Sequence, residues 1–304
     1  MHKVLVIGAT GDQGLAQVTE LKTAAGWSVH AAIRHTNSVP RALDGVPCVR
    51  MDLMDIDSMV SALNDVDIVF LNLPSASFVD SELVLHYFRN FLEAASQTKP
   101  TRVVFNASLY VGDVPNGHVA HDTRFQIISQ LFESSIDSTA ICPVIYLDNL
   151  LREWTLPSLR DRQALIYPHA KTLPVSWICL SDVARIMMLV ATDKKAINHK
   201  FIIGGEHALR GEETAAALSS AWGRKIQFQS LSIDSFSKNM SMLFAPHDPV
   251  KAARIKRDLY SIYRWYNESS PSPLTVDMSE FLKRYNLKLS TVEMWAKQHE
   301  YMLT

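Results

Sequence analysis

The stretch Val4-Leu5-Val6-Ile7-Gly8-Ala9-Thr10-Gly11-Asp12-Gln13-Gly14 constrains this chain more than any other. An apolar run with β-branched residues stops at Gly8, and apolar residues at helical spacing begin after Gly11, so a buried strand feeds a helix. Gly8 permits a tight turn off the strand. Gly11 lets the backbone come close to a ligand, and Gly14 lets the helix pack tightly. The helix N-terminus then offers N–H groups and a positive dipole end, which suits a pyrophosphate. The stretch predicts a nucleotide site drawn from Gly8, Thr10, Gly11, Asp12, Gln13 and Gly14. Asp12 fits beside a phosphate only if its carboxylate points outward, where an acid in a first helical turn is favourable.

The other residues give that site an ordinary setting. A chain of 304 residues buries a sizeable core, as one large domain or a large plus a small one. With 47% apolar and 20% charged residues, the composition is that of a soluble globular protein. A formal charge of −1 and the lack of a basic stripe argue against nucleic acid or an anionic membrane as partner. Cys48, Cys142 and Cys179 stand in no metal or redox spacing, which suits a reducing compartment. The first apolar stretch is too short for a signal peptide, and no apolar run reaches membrane-spanning length. The expected location is the cytoplasm.

Strand and helix signals alternate from residue 1 to about 150, which predicts an α/β fold with a doubly wound parallel sheet. Expected strands are Val29–Ile33 ending at Arg34, Val46–Met51 ending at Asp52-Leu53, Asp67–Leu73 stopped by Pro74, Arg102–Ala107 and Ser138–Cys142. Expected helices lie at Leu15–Ala25, Asp57–Leu63 with Asp57 as N-cap, Ser81–Ala95 and Thr123–Glu133, with a loop at 111–120. Beyond residue 150 the pattern is irregular. Strands at Val175–Leu180 and Lys200–Ile203 and helices at Ser181–Val190 and Glu212–Trp222 precede an aromatic-rich helical tail.

In a dinucleotide fold the residue ending the second strand meets the adenosine ribose, and an acid there repels a 2′-phosphate. Here that strand ends Ile33-Arg34-His35-Thr36, with no acid. Arg34 offers a planar, permanently charged fork suited to phosphate, and Thr36, Asn37 and Ser38 add hydrogen-bonding groups. NADP(H) is therefore expected over NAD(H). Asp52, with Leu53 after it, either accepts from an adenine amino group or caps a turn. Asn72, Leu73 and Pro74 would lie along the cofactor at the carboxyl end of the sheet.

Taken together, these residues resemble the NmrA-like family of atypical short-chain dehydrogenases, which includes type-2 quinone oxidoreductases and catalytically silent NADP-sensing regulators. The resemblance rests on the glycine stretch, Arg34, Asp52-Leu53, Thr139–Pro143 with Asn149-Leu150, and Trp177-Ile178 with Asp182-Val183-Ala184. It continues through Phe201–Gly205 and through Thr214–Leu218 to Gly223-Arg224, so it covers nearly the whole chain. It implies a Rossmann core of residues 1–150 with a return segment at about 175–205. Residues 151–174 and 206–304 would then form a smaller mixed C-terminal lid, with a small-molecule substrate in the cleft between.

Many short-chain dehydrogenases use a Tyr and a Lys four residues later on one helix, where the cation lowers the phenol's pKa. The string Tyr167-Pro168-His169-Ala170-Lys171 has the spacing but too many helix breakers, with Leu173-Pro174 close behind. Arg124 falls where many family members carry lysine; it can hydrogen-bond a nicotinamide ribose or sit at the surface, but it cannot release a proton near neutral pH. Ser108 and Tyr110 at the end of the fifth strand, and His121 before the Arg124 helix, are the remaining polar candidates for catalysis. Tyr110 is expected to titrate near an ordinary value of about 10 and His121 near neutrality. His118, His121 and Asp122 suggest a metal at H-x-x-H spacing, but no third ligand is identifiable and none is expected. Reduction of a quinone makes a phenolate-type anion whose acid has a pKa of roughly 10, so a weak or missing acid costs it less than it costs a ketone. The expected activity is NADPH-dependent hydride transfer to a quinone or enone, with Tyr263, Trp265 and Trp295 either lining its pocket or forming lid core. The alternative is a silent NADP(H) sensor acting through a protein partner.

Overall fold

Val4, Leu5 and Val6 retain no exposed surface, as an unbroken apolar strand covered on both faces requires. They lie in β1 (His2–Ile7), followed by α1 (Asp12–Thr23), β2 (Trp27–Ile33), β3 (Cys48–Arg50), α2 (Ile56–Leu63) and β4 (Ile68–Asn72). Next come α3 (Ser81–Thr98), β5 (Arg102–Asn106), α4 (Val119–Glu133), β6 (Ser138–Pro143), α5 (Leu156–Arg162) and β7 (Ala164–Tyr167). The chain continues through α6 (Leu180–Thr192), β8 (His199–Ile203), α7 (Gly211–Trp222) and β9 (Gln227–Ser230). It ends in α8 (Ile233–Phe244), α9 (Pro249–Glu268), α10 (Ser279–Tyr285) and α11 (Val292–Gln298). This is a computed structural model, and the described residues are 1–35, 39–75 and 77–303.

Seven strands form one sheet in the order β3-β2-β1-β4-β5-β6-β8. The pairs from β3 to β6 are parallel, with Val4 opposite Val29, Val6 opposite Phe70 and Asn72 opposite Asn106. Chain order runs one way from β1 to β3 and the other way from β4 to β6. The two directions part between β1 and β4, where a crevice opens beyond the carboxyl ends of the strands. Phe88 and Phe91 of α3 and Leu131 of α4 are fully buried in the core that also contains Leu5, Leu71 and Phe105. That packing holds the strand ends in place below the crevice.

Met1–Pro143 and Leu180–Ile202 form one compact unit, and the other described residues form a second. Within the second, β7 pairs parallel with β9, α8 packs on α9, and the Trp222 indole donates to Ala296 O at 2.8 Å. The three cysteines are free, and among the described residues no helix is long and apolar enough to cross a membrane.

Several local expectations need correction. The N-cap of α2 is Asp55, whose carboxylate accepts from Ser58 N–H, and Asp57 lies inside the first turn. The helix α4 begins at Val119, so His121 sits within it. Residues 175–180 are not one strand. Val175 bridges Leu209 and Ile178 bridges Tyr146, while Ser176 N–H donates to Leu274 O, so the backbone spends its groups on separate partners. The four-residue strands β7 and β9 are too short to leave a period in the sequence.

Candidate functional site

A groove of about 360 Å³ lies over the crevice between β1 and β4. Its walls are Ile7 and the glycine loop, Ala32–Arg34 at the end of β2, Met51–Leu53 after β3, Asn72–Ser75 after β4, and Tyr87 from α3. Every expected cofactor residue that is described lines it except Arg124, while Thr36, Asn37 and Ser38 fall outside the described residues.

The three glycines have different reasons to be glycine. Gly8 turns with φ +75°, and a Cβ there would lie 2.5 Å from Asn72 O. A Cβ on Gly14 would lie 2.2 Å from Gly8 O, so the helix meets the loop backbone at a distance only hydrogen tolerates. Gly11 has φ −87°, and its Cβ would meet nothing nearer than Gly8 O at 3.4 Å. Packing therefore demands Gly8 and Gly14 but not Gly11, which is exposed on the groove. Gly11 is the N-cap of α1 and supplies no side-chain cap, leaving the first-turn N–H groups to a ligand. The space and the donors fit a dinucleotide pyrophosphate.

On the same lining Arg34 is exposed and has no protein partner among the described residues. Asp52 caps a turn, its Oδ1 accepting from Met54 N–H at 3.0 Å, and the residue also lines the groove. Asn90 Nδ2 donates to Leu53 O at 2.9 Å and fixes that wall. Ile7, Ala32, Ile33, Met51, Ser75 and Tyr87 join the lining without being expected from the sequence. The first four extend strands already recognised, but nothing in the α3 pattern marks Tyr87 as reaching the groove.

The four catalytic candidates lie outside the groove lining. Ser108 follows β5 with φ +67° and donates its hydroxyl to Gln13 Oε1 at 2.7 Å. The Tyr110 ring lies 6.2 Å from that of His121, and burial pushes the Tyr110 phenol above its ordinary value, not near it. His121 is buried, and the loss of water lowers its pKa to about 3, so it is neutral at neutral pH. Arg124 is not at the surface. It is fully buried, donates to Pro74 O, and lies 5.9 Å from the Phe105 ring centre. Its guanidinium braces the wall that follows β4.

Asp122 accepts the N–H groups of Asn116 and Gly117, which commits its carboxylate to the loop. Among the described residues no group of three acidic, His or Cys side chains could hold a metal ion. Lys200, which the sequence did not single out, reaches the Tyr110 loop and donates to Gly112 O and Asp113 Oδ1. In the second unit Tyr167 ends β7 outside any helix, as its prolines required, and burial pushes its phenol up to about 12. Tyr263 meets Phe236 edge-on with ring centres 4.6 Å apart, and Trp295 is 1% exposed. Trp295 is core.

Residues 1–296 match the profile of the NmrA-like family. The chain belongs to the NmrA-like family. It is 27% identical over 262 residues to an NAD(P)H azoreductase of Xenophilus azovorans, covering 85% of this chain and 86% of that protein. Its NmrA-like fold is shared by an NADPH-dependent quinone oxidoreductase of Escherichia coli solved with NADPH. That structure has a TM-score of 0.74 and 20% identity, over 97% of this chain and 99% of the other. The negative transcriptional regulator NmrA, solved with NADP, gives a TM-score of 0.72 and 18% identity over 98% and 94%. Reductases and a regulator thus share this architecture.

Proposed function

We propose that this protein is an NADPH-dependent reductase that delivers hydride to a conjugated small molecule such as a quinone or enone. The carrying observation is the groove at the β1–β4 switch, where Gly11 leaves space no packing requires and β2 runs out into Arg34 rather than an acid. The 27% identity to an azoreductase over most of both chains supports reduction as the activity.

When bound, the dinucleotide supplies a hydride. Gly11, Gln13 and the α1 N-terminus hold its pyrophosphate, and Arg34, with Thr36 beside it in sequence, reads the 2′-phosphate. Asp52 and Leu53 border the adenine, while Asn72, Leu73 and Pro74 run along the nicotinamide half. Arg124 keeps Pro74 in place from below. The acceptor gains the hydride and one proton. Tyr110, held protonated by burial, is the proton donor in this reading, because Ser108 Oγ is engaged with Gln13 and neutral His121 carries no imidazolium proton to give.

The second reading is a sensor that binds NADP(H) without turnover and acts through a protein partner. It is favoured by Arg124, a permanent cation consumed as a brace where a working lysine is common in the family. The purified protein mixed with NADPH and a panel of quinones, enones and aldehydes separates the two. Acceptor-dependent NADPH oxidation, faster with quinones and enones than with aldehydes, is expected. Tight binding without oxidation by any acceptor would replace the enzyme with the sensor.

A further inference from the structure

The loop that carries Tyr110 is held from two sides. On the side of α4, the His121 ring hydrogen-bonds the Tyr110 backbone, and the Asp122 carboxylate accepts from Asn116 and Gly117 N–H at 2.8 and 3.0 Å. Between these points, residues 111–115 make no backbone–backbone hydrogen bond among the described residues. Val111 is buried, but Val114 is 70% exposed, so packing does not hold the stretch beyond Val111. A side chain from β8 holds it instead. Lys200 Nζ donates to Gly112 O at 2.6 Å and to Asp113 Oδ1 at 2.7 Å.

The two acceptors differ in weight. The Lys200 side chain is 16% exposed, and withdrawing an ammonium from water carries a penalty that two short charge-assisted bonds offset. The Asp113 side chain is 94% exposed, so water already serves its carboxylate and the ion pair contributes little. Gly112 O is the more consequential partner, because Gly112 lies against the phenol. A Cβ on Gly112 would sit 3.7 Å from both Tyr110 Cε1 and the Tyr110 hydroxyl oxygen. The ring thus rests on the residue that Lys200 grips. The same ammonium holds the Asp113 carboxyl below its usual range and balances an anion that raises the Tyr110 phenol.

We infer that Lys200 is a positioning residue for the reduction: it fixes Gly112, and through it the Tyr110 phenol, without touching acceptor or cofactor. This rests on Tyr110 being the proton donor in the reading above. Lys200 stands outside the cofactor groove, so its effect should fall on the proton transfer and spare dinucleotide binding. The role also explains a lysine beside Phe201, Ile202 and Ile203 in β8, where an apolar side chain would bury without a desolvation penalty.

Lys200→Met keeps the alkyl stem and removes the ammonium. In the full chain it should lower kcat for quinone reduction about tenfold, because a displaced acid loses part of its catalytic effect. The Kd for NADPH, read by fluorescence titration, should stay within about twofold. In a Tyr110→Phe background the same substitution should lower kcat no further, since the phenol it positions is gone. Asp113→Asn should lower kcat by less than about threefold, as the Gly112 bond remains. Amide hydrogen exchange of peptides spanning 109–117 should quicken in Lys200→Met, with β1 and β4 exchanging as in the native chain. Lys200→Gln, whose amide ends short of the lysine ammonium, should repeat these results and guards against misfolding particular to methionine.

An equal loss with and without the Tyr110 hydroxyl, an Asp113→Asn loss as large as that of Lys200→Met, or native exchange over 109–117 would overturn the inference. Impaired Tyr110→Phe beside unimpaired Lys200→Met would remove Lys200 alone. Native kcat in Tyr110→Phe, or no turnover of the native chain with any acceptor, would remove the proton-donor reading and the role of Lys200 with it.

Discussion

Substituting the three loop glycines one at a time should split stability from binding. Alanine at Gly14 places a Cβ 2.2 Å from Gly8 O, 2.6 Å from Gly8 C and 2.8 Å from Ala9 Cα, all backbone atoms that cannot rotate away. The helix must shift, at an overpacking cost of about 1–3 kcal/mol. Alanine at Gly8 combines the 2.5 Å approach to Asn72 O with φ +75°, which adds about 1–2 kcal/mol of left-handed strain. Valine at Gly11 meets neither obstacle. Its backbone, at φ −87° and ψ 163°, is extended, and the nearest protein atom to its Cβ is 3.4 Å away. Loss of a good N-cap costs about 1 kcal/mol at most, partly offset by the lower entropy of the unfolded chain. Melting should therefore fall by several degrees for Gly8→Ala and Gly14→Ala and by about 2 °C or less for Gly11→Val. NADPH titration should show the reverse emphasis, with Gly11→Val losing measurable binding while remaining cooperatively folded. Unchanged affinity in Gly11→Val would refute the argument that its missing side chain serves a ligand.

Further outcomes follow from the same geometry. Arg34→Asp should weaken NADPH by more than about tenfold and NADH much less, since only the former carries the 2′-phosphate; equal losses in paired titrations would remove Arg34 from that role. His121 and His169 are each held at about 3 by burial, against about 6.5 unfolded. The unfolded chain therefore binds the extra protons first. Stability from these groups is complete above a pH of about 6.5 and is lost as pH falls toward about 3, with about 2 kcal/mol gone per histidine at a pH of about 5. Urea midpoints across that range should show a slope that His121→Asn reduces, and an unaltered slope would contradict neutral burial of His121. Tyr110→Phe should lower kcat for quinone reduction while leaving the NADPH KM unchanged. A kcat equal to that of the native chain would assign the proton to water.

The parts of the site legible in the sequence were those whose chemistry is written in adjacent residues. The Gly8–Gly14 loop, the cation at the end of β2 and the polar residues after β3 and β4 follow the chain, so periodicity and a few breakers place them. Arg124 shows the opposite case. Its charge suggested a surface or a ribose, but helix α4 turns it inward onto Pro74 and Phe105, contacts set fifty and nineteen positions away in the chain. His121 was read from an ordinary titration value because the helix start at Val119, and with it the burial, left no N-cap signature. Tyr87 and Lys200 carry no local signal for a related reason: each reaches its place only after the strands are ordered in space. The segment 175–180 has the apolar residues of a strand, yet it divides its backbone hydrogen bonds among Leu209, Gly205, Leu274, Ile145 and Leu147, which no local pattern encodes.

Direct hydride transfer is tested by NADPH deuterated at the transferable position of its nicotinamide ring. With an α,β-unsaturated ketone as acceptor, the expected product is reduced and carries deuterium at the carbon β to the carbonyl, formed in step with NADPH oxidation. NADPH bound stoichiometrically but recovered unoxidised, with the ketone unchanged across the acceptor panel, would contradict it.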